Sequence, residues 1–161
     1  MPQGRQLFQL QILSFAYNTY TKNMKVTLSR IDDAYQLEAV NETGQKAYTD
    51  GSVAIGGHEQ AMRPMQLVLV ALGSCSSIDV IHLLKKQRQP LRHIEVEIDG
   101  QRAEGQVPAV FTHIQVHYKL YGPLDPVKVE RACRLSMEKL CSVSKMLEKS
   151  VEITWTYSVE A

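Results

Sequence analysis

The first patterned part of the chain alternates apolar and polar side chains in short stretches. This alternation predicts β-strands over Lys25–Ile31 and Tyr35–Asn41. Asp32 and Asp33 lie between the two stretches and are typical of a hairpin turn. A third, shorter strand is predicted over Lys46–Thr49, before a loop that contains three glycines.

A long apolar stretch begins at Pro64 and predicts a helix. Residues 65–72 are apolar nearly all round, which is typical of a central buried helix. Five small residues follow, Gly-Ser-Cys-Ser-Ser over 73–77, and they would let a backbone, a ligand or a partner helix approach closely. The helix resumes at Ile78 and ends in a cationic turn over Lys85–Arg88, which suits the negative end of a helix dipole.

The second half of the chain repeats the strand pattern and then adds a helix. Strands are predicted around Ile94–Ile98 and over Val110–Tyr121. Asp125 and Pro126 form an N-cap followed by proline at the first helical position. The helix that follows carries one buried stripe, consisting of Val129, Ala132, Cys133, Ser136 and Leu140. The pattern falters near Cys141 and Ser142, resumes to Leu147, and ends in an alternating strand over Val151–Val159.

The resulting order, β-β-β-α-β-β-α-β, predicts the α+β class, with an antiparallel sheet that carries helices on one face. The chain has 161 residues, a length that fits a single domain. We expect residues 1–23 to be an N-terminal extension and residues 24–161 to be the domain. The extension has an apolar run that Gln9 and Gln11 interrupt, which is unlike a signal peptide. No run is expected to be long enough to span a bilayer.

Charge and cysteine content restrict the function classes. The formal net charge is +1, so nothing in the overall field favours a nucleic acid or an anionic membrane as partner. Three cysteines without a C-x-x-C pair make neither a disulfide framework nor a structural zinc site. We therefore expect a reducing, cytoplasmic location and thiols that are free to react.

Cys75 and Cys141 are the candidate reactive groups. Cys75 lies among small residues on a rigid helix, which suits a reactive thiol, although a lone cysteine on a helix is more often a small buried apolar group. Cys141 lies where the second helix falters. If the two helices pack together, the two thiols meet, and such a pair is typical of a reactive cysteine beside a resolving one. Cys133, on the buried stripe, is interpreted as core.

Asp79 and His82 share one helix face with Cys75, which raises the alternative of a cysteine–histidine dyad. Seven residues correspond to about 10 Å along a helix, too far for a direct hydrogen bond between Cys75 and His82. A carboxylate beside Cys75 would also disfavour its thiolate. The competing interpretation is that Asp79 is paired with a cation or a backbone group.

Other polar clusters do not predict a site. His113 and His117 are four residues apart on a strand, about 13 Å, and cannot chelate one ion unaided. A basic cluster follows the first helix, but without interleaved aromatic residues it is typical of a solvated helix end rather than a nucleic-acid site.

Two segments resemble the OsmC/Ohr family, the osmotically induced and organic-hydroperoxide-resistance proteins. The first is Arg-Pro-Met-Gln-Leu-Val-Leu-Val-Ala-Leu-Gly-Ser-Cys over 63–75, followed by Ser-Ser-Ile-Asp-Val. The second is Leu-Cys-Ser-Val-Ser-Lys-Met over 140–146. The resemblance implies an intertwined homodimer whose sheets wrap two central helices, with active sites near the dimer interface. It is closest to the less characterised branch with the form P-M-x-L-L-L-x-A-L-G-x-C.

The resemblance also implies a chemistry that needs no cofactor. Cys75 would be the peroxidatic residue, which attacks the distal oxygen of an organic hydroperoxide and becomes a sulfenic acid. Cys141 would resolve it as a disulfide, and a dithiol would reduce that disulfide. An arginine would stabilise the thiolate; Arg30 on the first strand is the best positional candidate, and Arg63 is the alternative.

The sequence departs from the family's catalytic pattern at one position. Members with the established chemistry carry a carboxylate directly after the proline, which helps to hold the arginine, whereas this chain has Met65 followed by Gln66. The leading hypothesis is a hydroperoxide reductase of the oxidative stress response. The alternative is a non-catalytic member that binds a small apolar or electrophilic molecule at the dimer interface. A third interpretation is a structural dimer with inert thiols.

Overall fold

The computed structural model describes residues 23–160, which form two compact units, residues 23–63 and residues 64–160. All but the last residue of the predicted extension, 1–23, lies outside the described residues. The division into an extension and a single domain therefore stays a prediction.

The first unit contains the antiparallel sheet β1-β2-β3. Its strands are β1 (Val26–Arg30), β2 (Leu37–Asn41) and β3 (Lys46–Thr49), as the alternation predicts. Asp32 forms the hairpin turn by accepting hydrogen bonds from the backbone N–H groups of Ala34 and Gln36, both at 3.0 Å. A short 3₁₀ turn, Val53–Ile55, lies in the glycine-containing loop.

The second unit begins with α1 (Pro64–Lys86) and contains the sheet β4-β5-β6. Its strands are β4 (His93–Arg102), β5 (Phe111–Tyr121) and β6 (Glu152–Glu160). β5 is central, and its alternation places Ile114, Val116, Tyr118 and Leu120 in the core, each 0% exposed. The sheet therefore has one buried apolar face and one polar face.

The connection between β5 and β6 consists of three helical pieces. They are α2 (Pro126–Leu135), a π-turn (Ser136–Leu140) and α3 (Ser142–Leu147). α2 begins as predicted, because the Asp125 side chain accepts a hydrogen bond from Val127 N at 2.9 Å. The buried stripe is confirmed for Val129, Ala132, Cys133 and Ser136.

The α+β class and the order of the elements are confirmed, with one difference in the second sheet. β4 and β5 are antiparallel, but β5 and β6 run parallel, so this sheet is mixed rather than purely antiparallel. The reason is the helical crossover: it returns the chain to the end at which β5 began, and β6 must then run in the same direction.

α1 buries one face rather than its whole surface. Leu72, Val80 and Leu84 are fully buried, whereas Ile78 and Val70 are 65% and 45% exposed. Among the described residues, α1 is also the one helix whose length and composition would suit a membrane span, so the expectation that no run is long enough was wrong for it. The central helix of a water-soluble protein passes the same test, and the absence of a membrane partner stays a prediction.

Candidate functional site

Cys75 lies in the middle of α1, where the small residues bring the helix close to the sheet. A β-carbon added to Gly73 would overlap the end of the Ile98 side chain, which projects from β4. The predicted close approach is therefore made by a sheet side chain of the same unit. Cys75 itself is half-buried and packs against the main hydrophobic core, so its thiol is held on a rigid element at the edge of that core.

Cys141 is positioned by the π-turn. Its backbone N–H donates to the carbonyl of Ser136, five residues earlier, at 2.9 Å. The chain then leaves the helical conformation at Cys141 and starts α3, where the Cys141 sulfur accepts a hydrogen bond from Ser144 N at 3.4 Å. Extra-wide turns of this type often occur at functional sites. The faltering pattern seen in the sequence corresponds to this turn.

Cys75 and Cys141 are brought together in the second unit. Burial raises the pKa of Cys141 to about 12; the hydrogen bond from Ser144 opposes this, and a hydrogen bond with the Cys75 side chain adds to it. Cys141 is 0% exposed, so at neutral pH it is a thiol rather than a thiolate. The arrangement thus pairs a half-buried thiol with a fully buried, protonated one.

A buried polar cluster joins the start of the π-turn to the part of α1 that follows Cys75. The Ser136 hydroxyl lies 3.0 Å from the carbonyl oxygen of Ser76 and 3.4 Å from Oδ2 of Asp79. Ser136 and Ser76 are 0% exposed and Asp79 is 5% exposed. The hydroxyl of Tyr118, which is also fully buried, donates to Sδ of Met137 at 3.2 Å. The cluster ties α1 and β5 to the π-turn that holds Cys141.

Sequence reasoning did not assign Ser136 to the site. It placed Ser136 on the buried stripe of the second helix with apolar neighbours. The available signal was the presence of a hydroxyl on an otherwise apolar stripe, because a buried polar group requires a hydrogen-bond partner. The partner is on α1, 57 residues earlier in the chain, and a single sequence gives no means to find it.

Cys133 behaves as the predicted core residue. It is 0% exposed on α2, and burial raises the pKa of its thiol to about 12. It therefore stays protonated and shielded from reagents at neutral pH.

Met65, which stands where the family's catalytic pattern has a carboxylate, makes apolar contacts. Met65 is partly buried and packs against the main hydrophobic core. Gln66, the next residue, is exposed and has polar interactions of its own. Arg30 ends β1 on an exposed strand of the first unit, and Arg63 is exposed immediately before α1. Which of the two arginines acts on Cys75 stays a prediction.

The histidines do not support the alternative chemistries. His82 is exposed on α1, whereas Asp79 is buried against Ser136, so the cysteine–histidine dyad gains no support. His113 lies 3.2 Å from the Thr154 hydroxyl, and His117 lies 2.7 Å from the Thr156 hydroxyl, both on the polar face of the sheet. Within residues 23–160, no group of three or more His, Cys, Asp or Glu side chains is placed to hold a metal ion.

A depression of about 290 Å³ adjoins the Cys141 turn. Its apolar lining includes Met137, Val151, Ile153 and Trp155, and the buried Ser144 also borders it. Three glutamates complete the lining: Glu138, Glu148 and Glu152. The volume lies just below the range for small-molecule sites, which is roughly 300–1,000 Å³.

The fold and the paired cysteines define a class of protein, and the comparisons with known proteins agree. Residues 57–156 match the model of the family described as OsmC-like protein. The chain belongs to this family. The matched range includes both cysteine segments and all of α1.

A curated relative is Protein YhfA of Escherichia coli K12, which is 42% identical over 120 residues, covering 74% of this chain and 86% of that protein. Among solved structures, a hypothetical protein from Aquifex aeolicus VF5 is similar, with 31% identity, a TM-score of 0.72 and coverage of 88% and 100% of the two chains. An organic hydroperoxide resistance protein OsmC from Legionella pneumophila shares the fold, with 17% identity, a TM-score of 0.66 and coverage of 88% and 98%.

Proposed function

We propose that the protein is a thiol-dependent peroxidase that reduces organic hydroperoxides through Cys75 and Cys141. The observation that carries the proposal is that the π-turn, which ends at Cys141, is joined to α1 at Ser76, the residue after Cys75, by the buried Ser136 hydroxyl at 3.0 Å, so that Cys141 is a neighbour of Cys75. Family membership supports it, because a structural relative at 17% identity is named as an organic hydroperoxide resistance protein.

The roles of the two thiols follow from their exposure. Cys75 is the more accessible thiol, so it meets the substrate. Its thiolate takes the distal oxygen of the hydroperoxide as the O–O bond breaks, the thiolate becomes a sulfenic acid, and the alcohol leaves with a proton. Cys141 then displaces water from the sulfenic acid and forms a disulfide. A dithiol reduces that disulfide and itself becomes oxidised.

The proposal is tested by treating the native protein with one equivalent of an organic hydroperoxide such as cumene hydroperoxide and then titrating the free thiols after unfolding in denaturant, which exposes the buried cysteines, beside an untreated sample. We expect rapid loss of two thiols per chain and the appearance of one equivalent of cumyl alcohol. Cys133 should remain free because it is fully buried. Peptide mapping identifies the bridge. If both thiols remain unchanged over many minutes, the peroxidase assignment is wrong.

We also propose that the chain is a homodimer and acts in the cytoplasm, without nucleic-acid or membrane partners. The apolar side chains that α1 leaves exposed support an association, since Ile78 is 65% exposed and Val70 is 45% exposed. Light scattering coupled to size-exclusion chromatography should give twice the chain mass of 18.2 kDa. A mass of one chain at micromolar concentration would contradict the dimer.

A second candidate function is the binding of a small molecule without catalysis, and it is favoured by Met65, which replaces the carboxylate of the family's catalytic pattern. Met65 packs against the core and supplies no carboxylate to hold an arginine. The depression that borders the π-turn has four apolar side chains in its lining that would contact a small ligand: Met137, Val151, Ile153 and Trp155. The thiol titration separates the two functions, because a binding protein would retain its thiols while an apolar ligand protected it against thermal unfolding.

A further inference from the structure

The hydroxyl of Ser136 connects two elements that each carry one of the paired cysteines. Ser136 is the first residue of the π-turn, and the N–H of Cys141 bonds to its carbonyl. Its side chain lies 3.0 Å from the carbonyl of Ser76, the residue after Cys75, and 3.4 Å from Asp79, one helical turn later. The same residue is thus bonded to Cys141 through its backbone and to the Cys75 region through its side chain.

Two features of this contact make it more than ordinary packing. The shorter contact, 3.0 Å to the Ser76 carbonyl, and the longer one, 3.4 Å to Asp79, both lie where water is excluded, because Ser136 and Ser76 are 0% exposed and Asp79 is 5% exposed, and a buried polar group left without a partner costs free energy. The Ser136 hydroxyl also anchors the wider turn at its first residue. A π-turn has a weaker intrinsic preference than an α-helix, so its position depends on contacts of this kind.

The position of Cys141 matters for the second chemical step, the formation of the disulfide with Cys75. Cys141 forms a disulfide with Cys75 only when its sulfur reaches the bonding partner in line, and small displacements of reacting groups cost large factors in rate. The first reaction takes place at Cys75 on α1 and does not use the Cys141 sulfur. Loss of the Ser136 hydroxyl contacts should therefore slow disulfide formation while leaving the first reaction of Cys75 unaffected.

We infer that Ser136, with Asp79 as its second partner, is a positioning residue for the resolving cysteine: the buried contacts of its hydroxyl with the Ser76 carbonyl and with Asp79 set the place of Cys141 relative to Cys75 and thereby the rate at which the two form a disulfide. The inference deepens the proposed peroxidase function and, for its physiological meaning, rests on it. Neither residue is assigned contact with the substrate.

An aromatic disulfide, dithiobis(nitrobenzoate), provides a test that needs no peroxide. The Cys75 thiolate attacks the reagent, forms a mixed disulfide and releases one nitrothiobenzoate. Cys141, on losing its proton to the solvent, attacks the Cys75 sulfur of that mixed disulfide and releases a second nitrothiobenzoate as the internal disulfide forms. The two releases are followed by absorbance with the reagent at one equivalent, so their rates report the two steps separately.

In Ser136→Ala we expect the second release to slow about 10-fold or more, with the first release within about twofold of the wild type. Asp79→Ala should slow the second release in the same direction. Asp79→Asn keeps an acceptor oxygen for Ser136 and should restore most of the rate. The matched control is Ser77→Ala, whose hydroxyl bonds within α1 to the Gly73 carbonyl at 2.6 Å and should change neither step.

The outcomes separate this inference from the peroxidase proposal. The inference would be overturned if Ser136→Ala released its second nitrothiobenzoate as fast as the wild type does. Cys141→Ser, which should release only one equivalent, confirms that the second release comes from Cys141. Absence of a second release in the wild type would overturn the inference as well. If the wild type releases two equivalents, the variants behave as expected and a hydroperoxide leaves the thiols untouched, then the positioning role stands and the peroxidase function fails. Ser136→Ala removes a single oxygen atom, and if Asp79→Ala does not fold, the comparison of Ser136→Ala with Ser77→Ala still decides the inference.

Discussion

Replacing Cys75 by serine is expected to abolish hydroperoxide reduction, with a loss of roughly 10³-fold or more, the scale on which removal of a nucleophile affects enzymes. The reason is chemical: the electron pair that breaks the O–O bond comes from sulfur, and a serine hydroxyl neither ionises near neutral pH nor forms a sulfenic acid. The measurement is the rate of cumene hydroperoxide consumption with excess dithiol.

Two other cysteine variants are the controls for Cys75→Ser. Cys133→Ser should keep the activity, because Cys133 is fully buried and therefore shielded from the substrate. Cys141→Ser should consume one equivalent of peroxide and stop at a sulfenic acid, which a dimedone adduct detects by mass. A Cys75→Ser protein that consumes peroxide at the wild-type rate would remove Cys75 from the mechanism.

Much of the fold was predictable because its signals are local. The alternation around Tyr118 and its neighbours placed β5, and Asp125 with Pro126 marked the first turn of α2. Caps and alternating strands depend on residues a few positions apart, so a single sequence contains the whole signal. The two cysteine segments were also visible in the sequence, each on its own helical element.

The parallel pairing of β5 and β6 was missed although the order of the elements implied it. A strand, a helical connection and a second strand in the same sheet place the two strands in parallel, because the helix carries the chain back along the sheet. The all-antiparallel prediction treated β6 only by its alternating pattern. Alternation indicates which face is buried but gives no direction, so the direction has to come from the connection.

The partners of the small-residue segment of α1 could not be predicted for a different reason. The sequence indicated a close approach near Gly73 but left open whether a backbone, a ligand or a partner helix makes it. Its structural neighbour is Ile98, 25 residues later on β4, and the contact depends on how helix and sheet pack. The Ser136–Asp79 contact is of the same kind, since neither residue type specifies the other at such a separation.

The largest loss of stability is expected for Tyr118→Ala. Among the residues that the structure describes, Tyr118 is the largest fully buried side chain, and it lies on β5 with its hydroxyl on Met137 of the π-turn. Truncation of a buried aromatic side chain costs about 3–5 kcal/mol, because the transfer free energy of the ring is lost and a cavity remains. Urea unfolding at fixed pH, monitored by far-UV circular dichroism, measures the loss.

Tyr118→Phe separates the ring of Tyr118 from its hydroxyl. Phenylalanine preserves the packed volume and removes one hydrogen bond, for which we expect a loss of about 1 kcal/mol. A phenylalanine variant as unstable as the alanine variant would mean that the hydroxyl, through Met137 and the π-turn, contributes more than the packing. If the ring dominates, Tyr118→Phe should also keep the rate of disulfide formation, because Ser136 and Asp79 still hold the turn that carries Cys141.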